Sequence, residues 1–170
     1  MITSRNNHTV EFYNDDLLLI DSVAAYLKGG DAAIVICTPQ HKKLLRKRLG
    51  NSMACQYFDA ETTLAGFMVG GTPNGRLFAE TVGAIVEAQA AQHKDVRAFG
   101  EMVAILWDQG KASGALLLEE LWNDLLRKHA FTLHCAYPER AFESHRSRHD
   151  FKDVCGTHTA STFSNITFIT

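Results

Sequence analysis

Glu101 is the one carboxylate in an otherwise apolar run, VRAFGEMVAILW, from Val96 to Trp107. Burying an unpaired carboxylate is costly, so a charge there is either solvated at a strand end or held by a partner. Arg97, four residues earlier, is the nearest opposite charge. At the carboxyl end of a central parallel strand, Glu101 would face the crevice where open α/β sheets bind ligands. His134 and Cys135 are neighbours in FTLHCAY, so on a strand their side chains point to opposite faces. Cys155-Gly-Thr-His158 has a spacing that brings the two side chains together on a helix. They are two metal-type ligands with no third or fourth nearby in sequence, so no metal or other cofactor is expected. His8 enters the first strand-like stretch and lies at either rim of a sheet, whereas His41 and His93 read as helix surface or turn. Glu119 and Glu120 diverge on a helix, one toward a sheet and the other toward solvent.

The patterns that would mark an enzyme are missing. There is no Gly-x-Ser-x-Gly elbow. The turn after the first strand, Phe12-Tyr13-Asn14-Asp15-Asp16, has no glycine or lysine to cradle a phosphate, and its carboxylates would repel one. The glycine-rich stretch Gly70–Gly75 lies between two helical segments, outside a strand–loop–helix context. Nucleotide hydrolysis and dinucleotide binding are therefore disfavoured. A thiol system of Cys135, a histidine and Glu101 is the remaining catalytic arrangement, and its specificity is low in a chain with four cysteines and eight histidines.

The elements that must position these residues alternate between strand and helix. His8–Tyr13 alternates polar and apolar residues as a strand does. A helix follows with Leu17, Ile20, Ala24 and Leu27 on one face, ending at Gly29-Gly30. Ala32–Thr38 is a wholly apolar strand, and Thr38-Pro39 opens a basic helix that stops at Gly50. Met53–Phe58 reads as a third strand and Ala60–Val69 as a helix. An amphipathic helix from Phe78 to Ala91 precedes the Val96–Trp107 strand. A further helix, Ala112–Lys128, carries Leu118, Leu121, Trp122 and Leu125 on one stripe, and Phe131–Tyr137 is the next strand. The expectation is an α/β fold, a mainly parallel sheet of five strands with helices on both faces and one or two more strands at the carboxyl end. One domain is expected over residues 1–170, its core from about 8 to 158, with 159–170 forming a strand, a hairpin or a partly disordered tail.

Composition excludes other classes. A hydrophobic fraction of 46% with 21% charged residues is globular, and a net charge of −2 gives no electrostatic case for nucleic acid or an anionic membrane. No apolar run reaches the roughly 20 residues of a membrane-spanning helix, and MITSRNNHTV lacks a signal-peptide core. A cytoplasmic protein with free thiols is expected.

Several stretches together resemble one family. His8-x-x-x-Phe12-Tyr13, Thr38-Pro39-x-His41, Asp59-Ala60-x-x-Thr63-Leu64-x-x-Phe67-Met68, Arg97–Val103, Leu118-Glu119-x-Leu121-Trp122-Asn123, Cys135-Ala136-Tyr137 and Cys155-x-x-His158 look like the MEDS domain, the methanogen/methylotroph sensory domain of dichloromethane-response regulators. The resemblance spans about His8 to His158. It implies a RecA/KaiC-like core that has lost its phosphate loop, and a sensory role beside histidine kinases or transcription regulators, with small hydrocarbon-derived ligands proposed. Carried over by position, His8, Tyr13, Arg97, Glu101, Trp122, Cys135, Cys155 and His158 are the expected ligand-binding residues. Tyr13 and Trp122 would wall the site, His8, Arg97 and Glu101 would anchor the ligand, and Cys155 and His158 would close it. The connection Leu27–Asp31 is shorter than is typical of the family. No kinase or helix-turn-helix segment is read in the sequence, so output would pass to a partner or to a part of the protein beyond this sequence. The expected function is a non-enzymatic module that binds a small ligand and signals to such a partner. The alternative is a ligand-free interaction module with a degenerate ATPase fold that docks a histidine kinase or its own copy.

Overall fold

The structure is a computed structural model, described over residues 7–143, 147–163 and 166–169, with backbone alone for 147–149, 163 and 166–169. In chain order the strands are β1 (His8–Tyr13), β2 (Ala32–Cys37), β3 (Ala54–Asp59), β4 (Met68–Val69), β5 (Thr72–Pro73), β6 (Val96–Gly100), β7 (Thr132–Pro138), β8 (Ala160–Phe163) and β9 (Ile166–Ile169). The α-helices are α1 (Asp16–Lys28), α2 (Pro39–Leu49), α3 (Ala60–Ala65), α4 (Gly75–Phe78), α5 (Ala84–Gln92), α6 (Met102–Asp108), α7 (Ala112–Lys128) and α8 (Ser147–Gly156). Residues 1–6, which carry part of the amino-terminal reading, lie outside the described residues, as do 164, 165 and 170 of the tail.

The main sheet has the order β3-β2-β6-β7-β1-β8-β9. Its first six strands are parallel, and β9 closes the edge antiparallel to β8. Every residue of β2 is buried, as an apolar strand covered on both faces must be. Leu19, Ile20, Val23 and Leu27 of α1 pack with Leu45 and Leu49 of α2 against one face. Phe67, Phe78, Val82, Leu118, Trp122 and Val154 fill the other. Four helix starts carry side-chain caps: the side chains of Asp15, Thr38, Asp59 and Asn74 each accept a backbone N–H of the first turn.

Three local expectations are corrected. The run from Val96 to Trp107 is not one strand. It is strand only to Gly100 and helix from Met102, with Glu101 at the junction. Met102, Val103 and Leu106 are buried on one face of that helix, and the Glu101 N–H bonds the Ile36 carbonyl, so the chain turns off the sheet there. Gly70 and Gly71, at φ 57° and 80°, make the tight turn of the β4–β5 hairpin, where a helix extending to Val69 was expected. The helix from Phe78 is interrupted by a π-helical turn over Ala79–Gly83, where the Thr81 hydroxyl donates back to the Leu77 carbonyl.

Chain connections place a crevice at one point. From β2 the chain leaves to α2 on one face, and from β6 it leaves to α6 and α7 on the other. The carboxyl ends of these adjacent strands are thus the switch point at which open α/β sheets bind ligands.

Candidate functional site

Polar side chains gather at three places around the sheet. At the switch point, the Glu101 carboxylate accepts the Thr38 N–H at 2.9 Å and pairs with His41 Nδ1 at 2.5 Å. The other ring nitrogen of His41 lies 3.5 Å from Asp16, and the Tyr13 ring stands edge-on to the imidazole. Burial alone would lower the His41 pKa, but Glu101 and Asp16 outweigh it and hold the pKa above its ordinary value. The phenol of Tyr13 is raised by burial and by the same two carboxylates. His41 was expected on a surface. It is buried because His41, Leu45 and Leu49 recur at helical spacing on the inner face of α2. The crevice is filled by the chain's own carboxylate.

At the opposite rim, Arg97 donates to the Tyr26 carbonyl at 2.7 Å, holds Asp95 through Nε and Nη2, and lies over the Tyr26 ring. It borders a cleft of about 580 Å³ with Tyr26, Thr132 and Asn7. Four residue steps of extended chain separate Arg97 from Glu101, about 13 Å at the usual rise, so the two do not anchor one small ligand. Trp122 lies in the core, 1% exposed and packed edge-on to Phe78.

The third place is the interior between the sheet and α7. Here His8 of β1, Glu119 of α7, Cys135 of β7 and His158, just past α8, converge with their ligating atoms within 4.8 Å of one another. They are 1%, 0%, 0% and 4% exposed, which seals the cluster from solvent. One oxygen of Glu119 lies 3.2 Å from His8 Nε2, 3.4 Å from His158 Nε2 and 3.6 Å from Cys135 Sγ. Its other oxygen accepts the Tyr137 hydroxyl at 2.8 Å. His8 Nε2 is also 3.4 Å from Cys135 Sγ, and the two imidazoles stand 4.0 Å apart.

Neighbouring groups set the tautomers. Asn123 donates its amide to the Thr157 carbonyl, so its oxygen accepts from His8 Nδ1 at 2.7 Å. The Val154 carbonyl can only accept, so His158 Nδ1, at 2.6 Å, is its donor. Both rings thereby turn Nε2 inward. Burial would raise the Glu119 carboxyl, but His158 and His8 beside it prevail and hold it below the usual carboxylate range. Burial lowers His8, with His158 adding to the effect, and burial together with Glu119 raises the Cys135 thiol and the Tyr137 phenol. On the other face of the sheet, His134 meets Glu11 at 3.0 Å and Thr9 at 2.7 Å, so His134 and Cys135 do point apart as the strand reading requires.

Of the expected residues, then, His8, Cys135 and His158 meet, while Tyr13 and Glu101 meet elsewhere and Arg97 and Trp122 stand apart. Cys155 is half-buried against the core and is not in the cluster: α8 ends at Gly156, and the turn that follows carries His158 inward without it. The three partners that His158 lacks nearby in sequence come from β1, α7 and β7. Glu119, Asn123, Tyr137 and His41 lie within the motifs of the resemblance but are not among the expected ligand-binding residues. The signal for Glu119 is its place on the buried stripe Ala115, Leu118, Glu119, Trp122, where a leucine would be ordinary. Glu120 beside it is exposed.

Among the described residues, no helix is long and apolar enough to cross a membrane. A comparison with curated proteins finds no match. The profile of the methanogen/methylotroph, DcmR sensory domain matches residues 7–159, which begins beside His8 and ends just past His158. The chain belongs to the MEDS family of sensory domains.

Proposed function

We propose that this chain is a non-enzymatic, cytoplasmic signal-transduction module, built on a RecA/KaiC-like plan without a phosphate loop. It takes up a small ligand at the His8–Glu119–Cys135–His158 cluster and relays its presence to a partner such as a histidine kinase or transcription regulator. One observation carries the reading: four chain segments each send one ionisable side chain to a single sealed point. Buried polar groups of this kind are often no more stable than an apolar core of the same shape, and they concentrate where a protein binds or switches. His158 and Thr157 belong to the turn between α8 and β8, so a ligand at the cluster changes how that turn seats against α7. Movement there reaches the surface.

The test is thermal unfolding and hydrogen exchange of the full chain with dichloromethane, methanol, formate and zinc ions added separately. At 100 times its Kd a ligand stabilises by about 2.7 kcal/mol, a rise in Tm of roughly 5–10 °C for a chain of this size. The rise is expected with at least one probe and is lost in Glu119→Gln. If no probe changes either the melting or the exchange of residues 147–163, the reading fails.

The filled switch-point crevice favours a second reading, a ligand-free interaction module. Here Glu101 and His41 occupy the place a ligand would take. That reading expects association with a kinase or a second copy to persist in Glu119→Gln.

A further inference from the structure

The distances within the interior cluster have a metric of their own. A tetrahedral zinc ion, with bonds of about 2.0–2.1 Å to nitrogen or oxygen and 2.3 Å to thiolate, sets its ligand atoms about 3.3 Å apart for N/O pairs and about 3.6 Å apart for pairs with sulfur. Four of the six edges match: 3.2 Å for His8–Glu119, 3.4 Å for His158–Glu119, 3.4 Å for His8–Cys135 and 3.6 Å for Cys135–Glu119; the other two, from His158 to His8 and to Cys135, lie within 4.8 Å. Hydrogen bonding alone requires no such shared set of edges among four side chains.

Orientation agrees with the spacing. Metal-bound histidines commonly donate their second ring nitrogen to an oxygen that fixes the tautomer. His8 does so to Asn123 and His158 to the Val154 carbonyl, and Asn123 is itself tied to the Thr157 carbonyl. Both inner nitrogens therefore face the common point, where each ring in its neutral form presents a lone pair. Tyr137 holds the outer oxygen of Glu119, leaving the inner one to the cluster.

Resting on the sensory reading above, we propose that His8, Glu119, Cys135 and His158 bind one first-row divalent transition-metal ion, with zinc the best fit. Two imidazoles, one thiolate and one carboxylate suit its borderline character and would make a closed, four-protein-ligand site of the structural or sensory kind. Charge supports the assignment: a dication with one carboxylate and one thiolate is neutral overall, as a fully buried group should be. On binding, Cys135 gives up its thiol proton to solvent as the metal–sulfur bond forms, and no electron is transferred. The ion would pin the α8–β8 turn to β1, α7 and β7, so metal occupancy becomes a statement about whether that turn is docked.

The experiment uses the full chain, freed of metal by chelation and titrated with cobalt(II) and then zinc. One equivalent of cobalt is expected to give the intense visible bands of tetrahedral coordination and a sulfur-to-metal charge-transfer band, both bleached by zinc. Cys135→Ser should abolish the charge-transfer band, whereas Cys155→Ser and Cys37→Ser should leave it. Elemental analysis of protein purified without chelator should find about one zinc per chain. Circular dichroism of each variant separates loss of ligand from loss of fold. His158→Gln is the second variant, expected to fold and to weaken cobalt binding at least tenfold. A natively folded chain that shows no cobalt spectrum, or one whose charge-transfer band survives Cys135→Ser, overturns the proposal. If dichloromethane, methanol or formate stabilises a chain that takes no metal, the metal assignment fails and the sensory reading stands. If neither metal nor organic probe acts, both fail.

Discussion

Replacing Glu101 with alanine should be among the most damaging single changes in this chain. The carboxylate is 3% exposed and serves two donors: the backbone N–H of Thr38 at 2.9 Å and His41 Nδ1 at 2.5 Å. Alanine supplies neither acceptor. A buried donor left unsatisfied costs about 1–3 kcal/mol, and removing one partner of a buried ion pair costs about 3–5 kcal/mol. Water can reach the switch point once the side chain is gone, so about 3–5 kcal/mol is expected in total, a fall in Tm of roughly 6–20 °C. The loss also depends on pH. The folded-state pKa of His41 is raised, with Glu101, Asp16 and Tyr13 facing it, so its contribution is fully present below about pH 6.5 and fades as pH rises through the folded value. Urea unfolding of wild type, Glu101→Ala, His41→Gln and the double variant at pH 6 and pH 9 gives the coupling energy at each pH. Coupling above about 1.5 kcal/mol at pH 6 and smaller at pH 9 is expected for a charge-assisted bond. Coupling that is absent at pH 6, or that grows toward pH 9, would refute the assignment of Glu101 and His41 as a pair that fills the crevice.

Other expectations follow from packing and exposure. Trp122→Ala removes a fully buried indole that packs against Phe78 and Phe131 and should cost about 3–5 kcal/mol in equilibrium unfolding. Gly30→Ala would set a Cβ 2.8 Å from the Asp95 carbonyl oxygen and 2.8 Å from Arg97 Cγ, so about 1–3 kcal/mol is expected in the same assay. Gly29→Ala meets the Arg97 guanidinium instead, which must loosen its bonds to the Tyr26 carbonyl and Asp95 to make room, so a comparable cost is expected. Limited alkylation read by mass spectrometry should label Cys155 and Cys55 before Cys135 and Cys37, since the latter two are fully buried and burial pushes the Cys37 thiol up to about 12.

Regular alternation made the fold legible. An all-apolar β2 and capped helices at Asp15 and Thr38 say what they are from sequence, and a mainly parallel sheet with helices on both faces follows from them; the expected number of parallel strands was five with one or two more, and six are found. Val96–Trp107 was misread for a physical reason: a short run of apolar residues fits a buried strand and a buried helix equally well. What decided it was the Glu101 N–H turning to Ile36, a contact between segments far apart in sequence. The sites were less legible for the same cause. His8, Cys135 and His158 could be suspected individually, but Glu119, which joins them, sits on a helix stripe that reads as ordinary core, and the register of β1 against β7 together with the packing of α7 and the turn after α8 is needed to bring the four together. Arg97 and Glu101 look like neighbours in the sequence and are held apart by the extended chain between them.

The place of β1 in the sheet bears on how the protein is made. Its two neighbours are β7 and β8, and Thr9 pairs with His134 across a separation of 125 residues. At synthesis rates of about 5–20 residues per second, the first strand waits roughly 6–25 s before its first partner leaves the ribosome. Throughout that interval both edges of β1 are unpaired and Val10 and Phe12 have no core to enter. Until then the nascent chain carries two open strand edges at β1 that the folded sheet covers. Folding of the sheet's centre is a late event, governed by the closure of one long loop.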